Sequence, residues 1–259
     1  MKIIVCVKQV PDTAATMSVD DGAISWGDAS LIINPWDEFA VEAALDLKSA
    51  HGGEVIALSL GGEEETEAIK HALAMGADDA VLVSDPALQA ADNLAASRVL
   101  AAAVEKIGDA DLVLFGQQSV DSETGLLPGQ VARLLGWPAL TLVSKFDALD
   151  PEADTVQVER AMEEGNQVVK SPLPVVISIT KDYGEPRYPS FMGIRKASQA
   201  KYPTWGLEDL GLEPPKPAVS WPEVKEPPKK EVVTEIIEGE TPEEKAQKLA
   251  DKLREEKVL

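Results

Sequence analysis

Short apolar runs alternate with longer amphipathic ones through the first 145 residues. Lys2–Val7, KIIVCV, is apolar after its lysine, the pattern of a strand buried on both faces. Residues 37–53 put Phe39, Val41, Ala44, Leu45 and Leu47 on a broad helical face and stop at Gly52-Gly53. EVIALSL (54–60) is the next strand, ending at Gly61-Gly62, and Glu63 to Met75 forms a second helix. GADDAVLVSD supplies a turn and strand, QAADNLAASRVLAAAVEKIG a long alanine-rich helix, and DLVLFG a fourth strand. Strands alternating with helices predict crossover units around a mostly parallel, twisted sheet with flanking helices, an α/β fold.

The remainder reads differently. TVQVERAMEEGNQVVKS gives two alternating runs around EEGN, a hairpin signal, and LPVVISIT is a further buried strand. After Thr180 the periodicity fades, and residues 213–231 are proline-rich and charged, too poor in apolar positions to build core. Thr241 then reads as a cap, Pro242 as the first helical residue and Glu244 as the other half of a capping box. The organisation expected is a domain over 1–212 and an extended arm over 213–259 ending in a helix at 242–257. Ala246, Leu249, Ala250 and Leu253 would give that helix a narrow apolar stripe for its own body or a partner.

Composition narrows the function. A formal charge of −21 disfavours nucleic acid and anionic membranes over any broad surface. RYPSFMGIRKASQAKY, with Arg187, Arg195, Lys196 and Lys201, is the candidate basic patch. Neither a signal peptide nor a membrane span is expected, since no run of 18 apolar residues occurs. The single cysteine, Cys6, excludes an internal disulfide framework and suits a reducing cytoplasm. Cys6 falls inside a buried strand, and His51 and His71 are the only histidines, both with ordinary surface roles expected. No Ser/His/Asp set can be assembled, and Asp121 with Glu123 lacks converging ligands, so neither a catalytic nor a metal residue is assigned.

Ligand binding is expected over the carboxyl ends of the strands, at the loops 7–13, 60–64 and 115–128. GQQSVDSETGLLPGQVARLLGWP (116–138) has neither a GxxxxGK[ST] nor a GxGxxG pattern. Its small and hydroxylated residues can still aim backbone N–H groups at a phosphate, helped by the dipole of a helix starting near Pro128. Asp121 and Glu123 could cap N–H groups or accept from a ribose hydroxyl or an adenine amine. A capped strand-to-helix loop without ligand is the plainer alternative. In INPWDEFAVEAAL, Asp37 reads as a helix cap, and the side chains around it could wall an adenine pocket.

VCVKQVPDT, INPWDEFAVEAALDLK, ALAMGADDAVLV, DLVLFGQQSVDSETG and VERAMEEGNQVVKSPLPVVIS, in this order, resemble the β subunit of electron transfer flavoprotein, from Met1 to about Leu212. The resemblance implies a Rossmann-like, adenine-nucleotide-binding domain in a heterodimer with an α subunit that carries the redox-active FAD. It implies an electron carrier, not an enzyme, fed by acyl-CoA or other dehydrogenases as in fatty acid β-oxidation and discharged by a membrane quinone oxidoreductase. By motif position the nucleotide, AMP, would meet Cys6 (through its backbone), Asn34, Pro35, Trp36, Asp37, Leu60 and the loop Gly116, Gln117, Gln118, Ser119, Val120, Asp121, Ser122, Glu123, Thr124, Gly125, Leu126 and Leu127. Partner recognition falls within 187–201: Phe191 would be the exposed anchor, flanked by Met192 and Ile194, with Arg195 and Lys196 adding charge.

Two features depart from the common pattern. Thr13 stands near the flavin where a tyrosine is frequent, which resembles the electron-bifurcating branch, whose β subunit holds a second FAD in place of AMP. That branch tends to read Asp-Gly-Asp-Thr and Asn-Pro-Asp-Asp, where this chain has Asp121-Ser122-Glu123-Thr124 and Asn34-Pro35-Trp36-Asp37. AMP is the expectation and a second FAD the alternative.

Overall fold

A computed structural model describes every residue except 21, 90, 220–222, 227, 229–233 and 259. The chain forms two compact units, Met1–Val224 and Lys225–Leu259. In the first, the strands are β1 (Lys2–Val7), β2 (Gln9–Pro11), β3 (Ser18–Asp20), β4 (Ala23–Ser25) and β5 (Leu31–Ile33), followed by helix α1 (Pro35–His51). Then come β6 (Glu54–Leu60), α2 (Glu67–Met75), β7 (Asp79–Val83), α3 (Asn93–Ile107), β8 (Leu112–Gly116) and α4 (Leu127–Leu135). β9 (Ala139–Asp150), β10 (Thr155–Met162), β11 (Gly165–Pro172), β12 (Val175–Ile179), α5 (Phe191–Ala197) and β13 (Thr204–Trp205) complete it.

Nine strands make one sheet in the order β11-β10-β9-β12-β8-β1-β6-β7-β13. β10 runs antiparallel to both neighbours, and the other adjacent pairs are parallel. The pleat of β1 explains its unbroken apolar run. Ile3, Val5 and Val7 join a core with α1 and α2, whereas Ile4 and Cys6 join a second core on the opposite face with α3 and α4. The order in which strands are added reverses at the β1/β8 boundary, although the two run parallel: β1 leads through α1 to β6 on one side, while β8 lies on the other.

Several elements differ from the sequence reading for local reasons. α1 starts at Pro35, two residues early, because proline's fixed φ suits the first helical position; its cap residue is Asn34, not Asp37. α2 starts at Glu67, since Glu65 turns back to accept the Gly62 amide at 3.1 Å and its own amide binds the Gly62 carbonyl. β9 was not anticipated: Leu142 at φ 60° and register shifts against β10 break its alternation. The EEGN hairpin is present as β10 and β11, paired from Thr155↔Pro172 to Met162↔Gly165.

The first unit continues beyond Leu212. Asp92, the α3 cap, accepts the Ala95 amide at 2.8 Å and also the Ala218 and Val219 amides at 2.6 and 2.9 Å. Parts of the proline-rich stretch, 220–222, 227 and 229–231, lie outside the described residues. The second unit holds α6 (Pro242–Glu255), which the Thr241 hydroxyl caps by accepting the Glu244 amide at 3.2 Å. The Glu244 carboxylate accepts from the Glu240 amide, one residue before the cap.

Candidate functional site

A cavity of about 700 Å³ opens over the carboxyl ends of β1, β6, β7 and β8, at the reversal between β1 and β8. Four segments supply most of its wall: Cys6–Lys8, Leu58–Glu65, Ser84–Gln89 and Phe115–Pro128. The apolar part comes from Leu58, Leu60, Leu88, Leu100 and Phe115, and the polar part from Gln117, Ser119, Ser122 and Thr124.

The floor is assembled where three elements touch. Gly116 ends β8 against the first turn of α1; a Cβ there would lie 2.5 Å from Asp37 Oδ1 and 2.6 Å from the Trp36 carbonyl carbon. Asp37 is buried, and its carboxylate accepts the Lys8 amide at 2.8 Å and the Asn34 side-chain amide at 2.9 Å. Burial pushes the Asp37 carboxyl up to about 7, against the downward pull of those hydrogen bonds and one from the Gly116 backbone. Asp37 thus clamps β1 to α1 instead of capping the helix. Beside it the Cys6 thiol is pushed well up, by burial first and by the Asp37 charge second, so the thiol stays protonated and inert.

Asn34, 1% exposed, reaches over to the loop after β8. Its Nδ2 donates to the Gln118 carbonyl at 2.8 Å and its Oδ1 accepts the Val120 amide at 3.2 Å. The loop tightens on itself: the Ser119 carbonyl accepts the Glu123 amide at 2.8 Å, and the Ser119 and Ser122 hydroxyls lie 2.8 Å apart. Glu123 and Gly125 take positive φ, 50° and 59°, which turns the chain into α4. No side-chain hydrogen bond caps α4, and its first turn carries Pro128. Leu126, Leu127 and Pro128 line the cavity, so the amino end of α4, with its positive dipole end, stands at the cavity wall.

Of the nucleotide residues expected from sequence, Cys6, Asp37, Leu60, Gly116, Gln117, Gln118, Ser119, Ser122, Thr124, Gly125, Leu126 and Leu127 line this cavity. Asn34, Pro35, Trp36, Val120, Asp121 and Glu123 stand outside the described wall. Asn34 is engaged by the loop, Trp36 backs Gly116 through its main chain, and Asp121 pairs with Lys8 at 2.5 Å. Thr13 is exposed, in a turn after β2, and does not line the cavity either. Sequence reasoning missed Glu65 and the whole Ser84–Gln89 segment, and it placed Lys8 in the expected loop 7–13 without singling it out. The available signal was positional, since Ser84 to Gln89 follow the end of a parallel strand.

The expected basic patch is only partly basic. Arg187 forks onto Glu42, with Nε to Oε2 at 2.8 Å and Nη2 to Oε1 at 2.8 Å, and also reaches Asp46 at 2.9 Å, so its charge is neutralised. Phe191, Met192 and Ile194 are 81%, 69% and 53% exposed on α5, an apolar patch beside the exposed Arg195 and Lys196. α5 is a helix where irregular loop was expected: Ser190 caps it by accepting the Gly193 amide at 3.0 Å. It sits hard on α2, since a Cβ on Gly193 would lie 2.2 Å from the Ala74 carbonyl oxygen. His71 pairs with Glu38 at 2.9 Å on the surface. No cluster of potential metal ligands occurs among the described residues.

Sequence comparison agrees with this architecture. The electron transfer flavoprotein domain, as a family model, matches residues 27–210. The caffeyl-CoA reductase–Etf complex subunit CarD of Acetobacterium woodii is 36% identical over the full length of both chains. The electron transfer flavoprotein subunit beta of Bacillus subtilis is 36% identical over 99% of this chain and 98% of its own. Protein FixA of Azorhizobium caulinodans is 38% identical over 82% of this chain and 78% of its own. The chain belongs to the electron transfer flavoprotein family, among its β-type subunits. Members of that class serve electron transfer as carriers, each paired with an α subunit in a flavin-containing complex. Among the described residues no helix is long and apolar enough to cross a membrane.

Proposed function

We propose that the cavity over β1 and β8 holds AMP, which the chain keeps without reacting, while the redox-active FAD is carried by the α subunit. One observation carries this reading: an apolar wall of Leu58, Leu60, Leu88, Leu100 and Phe115 and the uncapped amino end of α4 meet at a single hollow where the strand order reverses. The apolar wall suits a base, and the loop amides with the hydroxyls of Ser119, Ser122 and Thr124 suit a phosphate. Direct contact falls to the lining residues from Cys6 to Leu127, and Asn34 and Asp121 support the wall from behind. The nucleotide then stabilises the folded subunit by mass action.

In this function electrons from acyl-CoA or other dehydrogenases enter the α-subunit FAD and leave to a membrane quinone oxidoreductase, with the heterodimer free in the cytoplasm. Phe191, Met192 and Ile194 anchor the dehydrogenase, with Arg195 and Lys196 at the rim. A second reading has an observation of its own. The cavity continues past the phosphate loop to Gly61–Glu65 and Ser84–Gln89, room that the rest of a flavin would use. The full-length relative named for a caffeyl-CoA reductase complex favours a reductase of CoA thioesters as partner in that case. Denaturing the purified αβ complex and quantifying the released cofactors decides between them. One FAD and one AMP per heterodimer supports the first reading; two FAD without AMP replaces it with the second.

A further inference from the structure

Lys8 follows directly on β1 and lines the cavity, where it is the sole cation among the described lining residues. Around it the same wall carries the carboxylates of Asp37, Glu63, Glu65 and Asp85. A nucleotide phosphate, itself carrying between one and two negative charges, meets a repulsive wall unless one strong positive group compensates it. The amides at the α4 end supply partial charges only.

The position of the Lys8 ammonium is fixed at both ends of the residue. Its backbone amide donates to Asp37 at 2.8 Å, and its Nζ lies 2.5 Å from Asp121 Oδ2, across 113 positions of sequence. An ammonium has three donors, so the Asp121 bond leaves two free. Burial pushes the Asp121 carboxyl up, but hydrogen bonds from Lys8 and Ser119 and the Lys8 charge outweigh it, leaving the group ionised. Asp121 lies in the same loop as Ser119 and Ser122, which line the cavity and are bonded to each other. The ion pair therefore draws the ammonium to the loop that carries the hydroxyls.

We propose that Lys8 is the residue through which this cavity selects a phosphorylated adenosine, with Asp121 as the positioning residue that holds its ammonium at the loop. The inference rests on the nucleotide reading above and adds the group that recognises the phosphate. It also gives Asp121 a different task from holding a ribose hydroxyl or an adenine amine.

The test uses the full chain in complex with its α partner, stripped of bound nucleotide, titrated calorimetrically with AMP and with adenosine. Lys8→Met weakens AMP at least tenfold and leaves adenosine within about twofold, and Lys8→Arg keeps most of the AMP affinity. Asp121→Asn weakens AMP by a smaller factor with the same indifference to adenosine. Affinity of the unmodified complex for AMP falls with added salt, and that dependence flattens in Lys8→Met. Equal loss of AMP and adenosine in Lys8→Met, at retained melting temperature, makes Lys8 only a fastening of the loop and overturns the proposal. Unchanged AMP affinity in Lys8→Met overturns it as well. If the unmodified complex binds neither compound and releases no adenine nucleotide on denaturation, the nucleotide reading itself falls first.

Discussion

Gly116→Ala is the sharpest single-atom perturbation of the site. The added Cβ would stand 2.5 Å from Asp37 Oδ1, 2.6 Å from the Trp36 carbonyl carbon and 2.7 Å from its oxygen. Two of the three neighbours are main chain at the start of a helix, so no rotamer change relieves the overlap. Overpacking of this kind costs about 1–3 kcal/mol, and backbone neighbours put it near the top of the range. For a body of this size each kcal/mol lowers the melting temperature by about 2–4 °C, so a fall of roughly 6–12 °C is expected. The strain has a direction: it moves the end of β8 off the α1 turn and pulls the Gln118 carbonyl from Asn34, now 2.8 Å away. Nucleotide retention should therefore fall more than stability alone explains. Scanning calorimetry gives the first quantity and chromatography of the acid-released nucleotide the second. A melting temperature within 1 °C of the parent together with full nucleotide content would refute the packing argument.

Asp37 makes folding pH-dependent. Its carboxyl stands at about 7 against an ordinary 3.8, so the folded chain holds that proton more tightly than the unfolded one. This contribution is intact below pH ~4 and is lost as pH rises through 7, by up to about 4 kcal/mol; Asp37→Asn should flatten urea-unfolding stability between pH 5 and 8, and an unchanged slope contradicts the assignment. Arg187→Met leaves the Glu42 carboxylate, only 11% exposed, without its fork, for a loss of about 2–3 kcal/mol that adding Glu42→Gln partly restores; a double variant no better than the single one argues against an unpaired charge as the cause. Phe191→Ala removes an 81% exposed ring, so denaturation curves should shift by less than ~0.5 kcal/mol while electron transfer from the dehydrogenase slows; unchanged transfer kinetics sinks the docking role.

The strands were legible because a strand buried on both faces is apolar on nearly every residue, as KIIVCV after its lysine and VVISI but for Ser178 are. Helix ends were less so, since Pro35 and Glu65 set them through main-chain geometry that apolar spacing does not register. The loops after β1, β6 and β8 were visible as punctuation between periodic runs. Ser84–Gln89 was not, because its lining residues, Asp85, Leu88 and Gln89 among them, form no motif and only their place after a parallel strand marks them. Lys8 was hidden for a related reason: a lysine after a strand means nothing until the fold brings Asp121 to it from 113 positions away. The neutralised Arg187 is the converse case, a cation counted as free because Glu42 and Asp46 lie far off in sequence.

The seating of α5 on α2 carries a kinetic consequence. Gly193 lets the two helices touch at main-chain distance, and Ser190 fixes the first turn, so Phe191, Met192 and Ile194 project from a helix already formed without a partner. A molecule settling on that face orders no loop and waits for no rearrangement, and nothing has to unfold for it to leave. Such a face spares association the entropy of ordering its own backbone, so that even a contact of few side chains can form quickly.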